Sequence, residues 1–249
     1  MKISFIIPAY NEEKYISRCL ESVILEAKRS SFDYEVIVVN NASSDKTKEV
    51  ALSFSEVIVV DEPRKGISNA RQAGLSASRG DLIVNFDADS LMPQGWSREI
   101  GEIFKDNSVV ALSGPCIYHE SSAAVNMLIR AYYFFAFLIH IVNQDILKIG
   151  AVLQGGNSVL RRSALEKIGG YDTSIKFYGE DTDIAKRMSR VGRVKFDLFF
   201  TMKTSSRRFE KEGLVRIGWN YLVNYLWVII FSRPFSTKCQ ETTDKKISN

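Results

Sequence analysis

Along the first third of the chain, short unbroken apolar runs alternate with segments of helical period. KISFII (2–7) is β-rich and closes at Pro8. NEEKYISRCLESVILEAK (11–28) follows, with Tyr15, Cys19, Leu20 and Val23 at helical spacing and acids in the predicted first turn. YEVIVV (34–39), EVIVVD (56–61) and DLIVNFD (81–87) read as further strands. Between them, SSDKTKEVALSF (43–54) and GISNARQAGLSASRG (66–80) read as helices, the second closed by Gly80. Strands that are apolar along their whole length and alternate with helices predict an α/β fold: a Rossmann-like, mostly parallel sheet flanked by helices. Ligands of such sheets bind beyond the carboxyl ends of the strands. PAYNE, NNASSD and DADS each follow a strand, so all three are expected at one edge.

After about residue 120 the alternation fades and two long apolar stretches appear. AAVNMLIRAYYFFAFLIHIV (123–142) has the length of a bilayer span, which needs about 20 residues. Asn126, Arg130, Tyr133 and His140 nevertheless recur along one helical face. A polar stripe beside a wide apolar face fits an interfacial or internally packed amphipathic helix better than a span. GLVRIGWNYLVNYLWVIIF (213–231) repeats the pattern with Arg216, Asn220 and Asn224, and adds Trp219, Tyr221, Tyr225 and Trp227, types that favour the membrane interface. Packing of the two helices on each other or in a dimer is the alternative.

Composition narrows the field. With 249 residues, 45% hydrophobic and 25% charged, the chain is long enough for a core and too apolar for disorder. A net charge of +4 is too small to argue for nucleic acid, but suits an anionic ligand or an acidic membrane surface. Cys19, Cys116 and Cys239 lie far apart without a CxxC pair, which argues against a zinc site or disulfide framework and for a reducing cytosol. The start, MKISFIIPAYNEE, reads as a buried strand rather than a signal peptide, and 236–249 as a disordered tail.

GxGxxG after the first strand, GxxxxGK[ST] and GxSxG are all absent, which removes dinucleotide, P-loop and serine-hydrolase signals. Carboxylate chemistry remains. In NFDADS, Asp87 and Asp89 follow the apolar strand one residue apart, and alternation turns them to the same side. Such a pair suits Mg²⁺ or Mn²⁺, ions that bind through one or two carboxylates together with substrate phosphates. A surface turn is the plain alternative.

Four ordered blocks, FIIPAYNEEKYISRCLESV, EVIVVNNASSDKT, GISNARQAGLSASRGDLIVNFDADS and QGGNSVLRRSALEKIGGYDTSIKFYGEDTDIAKRMSRVGRV, resemble family 2 glycosyltransferases of GT-A fold from residue 3 to about 197. The resemblance implies an inverting, metal-dependent transfer of a sugar from a nucleotide-diphosphate donor. It implies that Pro8, Ala9, Tyr10 and Glu12 lie against the nucleotide, that Arg71 lies near it, and that Asp87 and Asp89 hold the metal. Asn40 and Asn41 stand where the family usually has two acids that contact base and ribose. An amide donates as well as accepts, so this departure bears on base preference. Gly155, Gly156 and Asn157 match a stretch near the acceptor and donor sugar.

Inverting transfer needs a base opposite the leaving diphosphate. In FYGEDTDIAKRMSRVG (177–192), helical spacing puts Asp181, Ile184, Met188 and Val191 on one inward face and Asp183 on nearly the opposite one. The family keeps its base in this Glu-Asp dyad, so Asp181 is the expected base and Glu180 its orienting partner. An acidic helix cap is the alternative. Arg207 and Arg208 could hold a diphosphate through forked bonds, or form a solvated or membrane-facing patch.

The expectation is thus one GT-A domain over 1–235. A nucleotide-sugar-binding half (1–115) joins an acceptor half (116–235) that carries the helices 123–142 and 213–231. The acceptor is a saccharide or lipid-linked hydroxyl, and the location cytoplasmic and peripheral on the inner face of the membrane. The rival readings are a nucleotidyltransferase, which releases pyrophosphate, and a non-catalytic binding subunit.

Overall fold

Seven of the eight residues of β1 (Lys2–Ala9) are buried, because strands pair with it on both sides and helices cover both its faces. The computed structural model describes residues 1–118 and 122–235. Its elements continue as α1 (Ile16–Arg29), β2 (Asp33–Asn40), α2 (Thr47–Leu52), β3 (Val57–Asp61), α3 (Ile67–Ala77), β4 (Leu82–Phe86), α4 (Trp96–Ile103), β5 (Val109–Ser113) and β6 (Cys116–Tyr118). Next come α5 (Ala123–Ile141), which runs into a π-helical turn at Val142–Ile146, then β7 (Asn157–Arg161), α6 (Arg162–Lys167), α7 (Glu180–Met188), β8 (Arg193–Phe196), β9 (Met202–Thr204), α8 (Arg207–Glu212) and α9 (Leu214–Phe231).

The main sheet has the order β3-β2-β1-β4-β7-β5-β8, and β6 pairs with β9 in a small second sheet. In the main sheet only β7 runs antiparallel to its neighbours, so its first residue, Asn157, lies opposite the last residue of β4, Phe86. That reversal brings the segment before β7 to the carboxyl edge of β4. It also inserts a strand of the second half between strands of the first, so both halves share one sheet. One core cluster joins α1 and α4 to the sheet, and another joins α3, α6 and α7 to the opposite face.

Several predicted helix limits differ, and α2 spans only Thr47–Leu52 of the expected 43–54. The first helix begins at Ile16 rather than residue 11, and its first turn holds no acid. Residues 11–15 instead form a turn in which the Glu12 carbonyl accepts from the Tyr15 and Ile16 amides. α3 ends at Ala77, before Gly80. Gly80 has another reason to be glycine: a Cβ there would lie 2.6 Å from the backbone nitrogen of Ser4. The tail 236–249, with Cys239, lies outside the described residues.

α5 reverses the usual orientation of an amphipathic helix. Asn126, Tyr133 and His140 turn toward the protein, and Arg130 alone of the stripe turns out. Tyr133 donates to Gln154 Oε1 at 3.3 Å, and His140 Nδ1 accepts from the Val152 amide at 3.1 Å. The outer face holds Met127, Leu128, Phe134 and Phe135, the last 63% exposed. α9 repeats this, with Asn224 buried and Trp219, Leu226 and Ile230 exposed. Lys186 ties the end of α9 to α7, donating to the carbonyls of Val228 (3.0 Å) and Ile229 (2.6 Å). The two helices meet where Asn143 donates to Tyr225 at 2.5 Å. From Ala123 through Ile146 the helix is long and apolar enough to cross a bilayer by length and composition, yet its polar face is bonded to the domain.

Candidate active site

The ends of β1, β2 and β4 lie side by side, because Ala9 pairs with Asn40 and β4 flanks β1. PAYNE and NNASSD are knitted together there. The Glu12 amide donates to Thr47 Oγ1 at 2.7 Å, and the Ser44 amide to Asn11 Oδ1 at 2.8 Å. Pro8 and Ala9 close β1, and Tyr10 opens toward Lys65, whose ammonium donates to its hydroxyl at 2.6 Å. Asn40 donates to Asp61 at 2.8 Å, while Asn41 uses its whole amide to hold the following loop. Asn41 donates to the Glu62 and Arg64 carbonyls at 3.0 and 2.8 Å and accepts from the Gly66 amide at 2.9 Å. The Asn40-Asn41 departure therefore has a structural task, and leaves only Asn40 Oδ1 buried and unbonded.

Arg71, from the middle of α3, is 3% exposed and spans two acids. Its Nη1 lies 2.6 Å from Glu180 Oε1, and its Nη2 lies 3.8 Å from Asp87 Oδ1. Residues nearly a hundred positions apart thus meet across one guanidinium. Gly155 and Gly156 make the approach possible. A Cβ on Gly155 would lie 2.8 Å from Arg71 Nη2, and one on Gly156 would lie 1.9 Å from Asp87 Oδ2. Asn157 turns into the core, its amide donating to the carbonyls of Gly114, Pro115 and Phe200 at 2.9–3.3 Å.

A second bridge lies beside the first. Arg207 Nε binds Asp89 Oδ2 at 3.1 Å, its Nη2 pairs with Glu12, and its guanidinium lies 4.5 Å from the Tyr15 ring centre. Thr204 Oγ1 donates to Asp89 Oδ1 at 3.3 Å. Tyr15 and Thr204 carried no chemical motif; Thr204 is brought to the site by the β6–β9 pairing. Arg208 points elsewhere, to the hydroxyls of Tyr178 (2.8 Å) and Tyr221 (3.0 Å) and to Glu212 (3.1 Å).

α7 begins at Glu180 after Gly179, whose φ of +87° permits the turn. The helix dipole favours acids in this first turn. Asp181 Oδ1 accepts from the Thr182 amide at 2.7 Å, and its charge bears on Tyr132 of α5 and Tyr221 of α9. Asp183, set on the opposite face by its spacing, pairs with Arg187 at 2.5 Å, which in turn holds the carbonyls of Ile168 and Gly170.

Burial dominates the protonation of these acids. Glu180 and Asp181 are both pushed above the usual carboxylate range by burial, against the pull of Arg71. Burial also takes Glu12 up to about 7, with Arg207 opposing. Asp87 is pushed up by burial, while Arg71 lowers it and Asp89 raises it. Its side chain is 41% open to the cleft, and solvent reaching it weakens that upward push. Glu12 Oε2, Glu180 Oε2 and Arg71 Nε are buried without a hydrogen-bond partner.

The donor set fits a divalent ion of the Mg²⁺ or Mn²⁺ kind. Among the described residues no group of three His, Cys, Asp or Glu could by itself hold a metal. An ion that takes one or two carboxylates, waters and phosphates needs only Asp87 and Asp89 from the protein. Gly156 leaves the Asp87 carboxylate room in the cleft.

The sequence model of the family described as Glycosyl transferase family 2 matches residues 4–169. Among curated proteins, the chain is 33% identical over 138 residues to Dolichyl-phosphate beta-glucosyltransferase ALG5D of Trichomonas vaginalis, covering 50% of this chain and 42% of that one. It is 31% identical over 205 residues to Probable glycosyltransferase YdaM of Bacillus subtilis, covering 77% and 47%. The chain thus spans less than half the length of either relative. Among solved structures, the mannosyltransferase PcManGT from Pyrobaculum calidifontis, in complex with GDP-Man and Mn²⁺, shares the GT-A fold with a TM-score of 0.64 at 20% identity, covering 86% of this chain and 62% of that one.

Proposed function

Since the chain belongs to glycosyl transferase family 2, we propose that it transfers a sugar, with inversion, from a nucleotide-diphosphate donor to a hydroxyl of a saccharide or lipid-linked acceptor. The Glu180–Arg71–Asp87 bridge carries this reading, because it joins Asp87 of the donor pair to Glu180, the chain neighbour of the expected base. In this proposal residues 1–115 form the donor half and 116–235 the acceptor half of a single domain.

Pro8, Ala9, Tyr10, Glu12, Asn40 and Asn41 line the nucleoside side. Asp87 and Asp89 would hold Mg²⁺ or Mn²⁺, with Asp89 as the direct ligand, and the bound ion supplies charge neutralisation for the leaving diphosphate. Arg71 fixes the distance between the Asp87 and Glu180 carboxylates. Asp181 accepts the proton of the acceptor hydroxyl as its oxygen attacks the anomeric carbon from the face opposite the diphosphate. An ordinary carboxylate is a weak base, adequate where proton transfer lags bond formation; the upward push from burial makes Asp181 a stronger one. Glu180, bound to Arg71, holds the start of α7 in place. Arg207, bound to Asp89 and Glu12, lies where the diphosphate would sit, and Arg208 lies on the acceptor side, where Gly155 and Gly156 keep the cleft open; Asn157 braces that wall from within.

The apolar outer faces of α5 and α9 support a lipid-linked acceptor and a peripheral seat on the cytoplasmic face of a membrane. Both helices lack acids, and Arg130 and Arg216 stand exposed among the apolar side chains. Their inner faces are bonded to the domain, so the helices lie along the surface rather than through it. Incubation with a panel of nucleotide-sugars and Mn²⁺ tests the activity. Release of a nucleoside diphosphate supports sugar transfer; release of pyrophosphate assigns a nucleotidyltransferase; no turnover and no thermal stabilisation by any donor leaves a binding subunit.

A further inference from the structure

Each member of the Asp87/Asp89 pair has its own arginine, and the two are held differently. Arg71 sits in the middle of α3 with a side chain 4% exposed, enclosed between Glu180 and Asp87. Arg207 opens the six-residue α8, and its side chain is 18% exposed. The chain beyond α8 turns at Gly213, φ +81°, and Arg208, next to Arg207, is anchored to Tyr178 and Tyr221, so an exchange at Arg207 is one of its own side chain.

Asp89 has both oxygens engaged, Oδ1 by Thr204 and Oδ2 by Arg207. A divalent ion at Oδ2 would stand against the positive guanidinium, and the two cations compete for the charge of one carboxylate. Yet without Arg207, the carboxylates of Glu12, Asp87 and Asp89 would act on one another with no cation between Glu12 and Asp89. Arg207 therefore fills, in the donor-free protein, the electrostatic place that a metal ion takes in the loaded one. A diphosphate brings more negative charge than Asp89 and accepts two parallel bonds from an arginine fork.

We propose that Arg207 is a displaceable latch: it neutralises Asp89 and Glu12 while the cleft is empty, yields Asp89 to the divalent cation, and turns to the diphosphate that arrives with it. This rests on the reading of Asp87 and Asp89 as the metal's ligands. Divalent ion and donor then enter as a coupled pair, and the ion alone binds weakly. Arg71, having no such exchange open to it, stays with Glu180 throughout.

Mn²⁺ titrated into the full chain, with free ion followed by electron paramagnetic resonance, tests this with and without inorganic pyrophosphate. Arg207→Gln is expected to bind Mn²⁺ alone roughly tenfold more tightly than the parent, a change typical of coupled sites. Pyrophosphate is expected to raise its Mn²⁺ affinity less than the parent's, since the arginine that should receive the diphosphate is missing. Unchanged or weaker binding of Mn²⁺ alone by Arg207→Gln overturns the latch. Arg207→Lys keeps the charge without the fork and guards against misfolding of the first variant: an intermediate Mn²⁺ affinity and a reduced pyrophosphate effect support the latch, while parent-like values in both titrations overturn it. Asp89→Asn separates the two levels of the argument. Parent-like Mn²⁺ binding there removes the ligand assignment and the latch together, whereas a failure confined to the Arg207 variants removes the latch alone.

Discussion

In α1, Ile16, Cys19, Leu20 and Val23 face the sheet, while Arg18, Glu21, Lys28 and Arg29 face outward. In α9, Asn220 and Asn224 turn toward the protein and Trp219, Leu222, Leu226 and Ile230 turn away. Both helices are amphipathic, and only the side that carries the domain differs. An inward polar face is tolerable when its groups are bonded, as Asn143, His140 and Asn224 are. An outward apolar face of this extent, in contrast, marks a surface that meets something other than water. On the proposed function, the donor half would sit in solvent with buried ion pairs at its edge, and the acceptor half against an apolar neighbour.

The largest effect that sharpens this contrast lies where the halves meet. Asp181→Asn is expected to reduce transfer by about a thousandfold, within the range for loss of a general base, with donor affinity unchanged. Near-normal turnover would take Asp181 out of its role. Next comes the buried cation of the donor half. Arg71→Met leaves Glu180 and Asp87 without their shared partner and is expected to destabilise the fold by about 3–5 kcal/mol, measured by denaturant midpoint. Arg216→Met, on the exposed side of α9, should stay within about 0.5 kcal/mol. A comparable loss in both would erase the distinction between the two regions.

A smaller effect on the fold, but a decisive one for location, is expected on α9. Trp219→Asp combined with Ile230→Asp should release the protein from anionic vesicles in a sedimentation assay while leaving its melting temperature nearly unchanged, because both side chains are about two-thirds exposed. Equal vesicle binding before and after would remove the membrane from the account. The smallest effect concerns pH. Glu12 titrates near 7 in the folded protein and near 4.5 when free, so the folded state binds more protons between those values, and stability falls as pH rises through that window. Glu12→Gln should flatten that part of the stability profile, and an identical slope would remove Glu12 as its source.

How much was readable beforehand varies by element. The strands from β1 to β4 are legible because each is apolar through its length and bounded by a turn signal. The NFDADS acids were legible from their place at a strand end. The start of α1 departs from the pattern, since Glu12 and Glu13 of NEEK look like a helix's first turn until Arg207, 195 residues away, claims Glu12. Gly80 looked like a helix stop and is instead a contact point with β1. Arg71 was assigned to the nucleotide by resemblance, and its position between two acids has no signature in SNARQAG.

Local pattern alone therefore determined the alternating α/β architecture, the gathering of three strand-end loops at one edge, and the existence of two acid-free amphipathic helices. Side-chain period is a short-range property, and burial of each apolar run leaves few alternatives. Tertiary structure alone decided which arginine meets which acid, why Gly155 and Gly156 carry no side chain, and which face of α5 and α9 turns outward. Those outcomes depend on the antiparallel insertion of β7 and on ion pairs between distant segments, and a one-dimensional pattern holds no record of either.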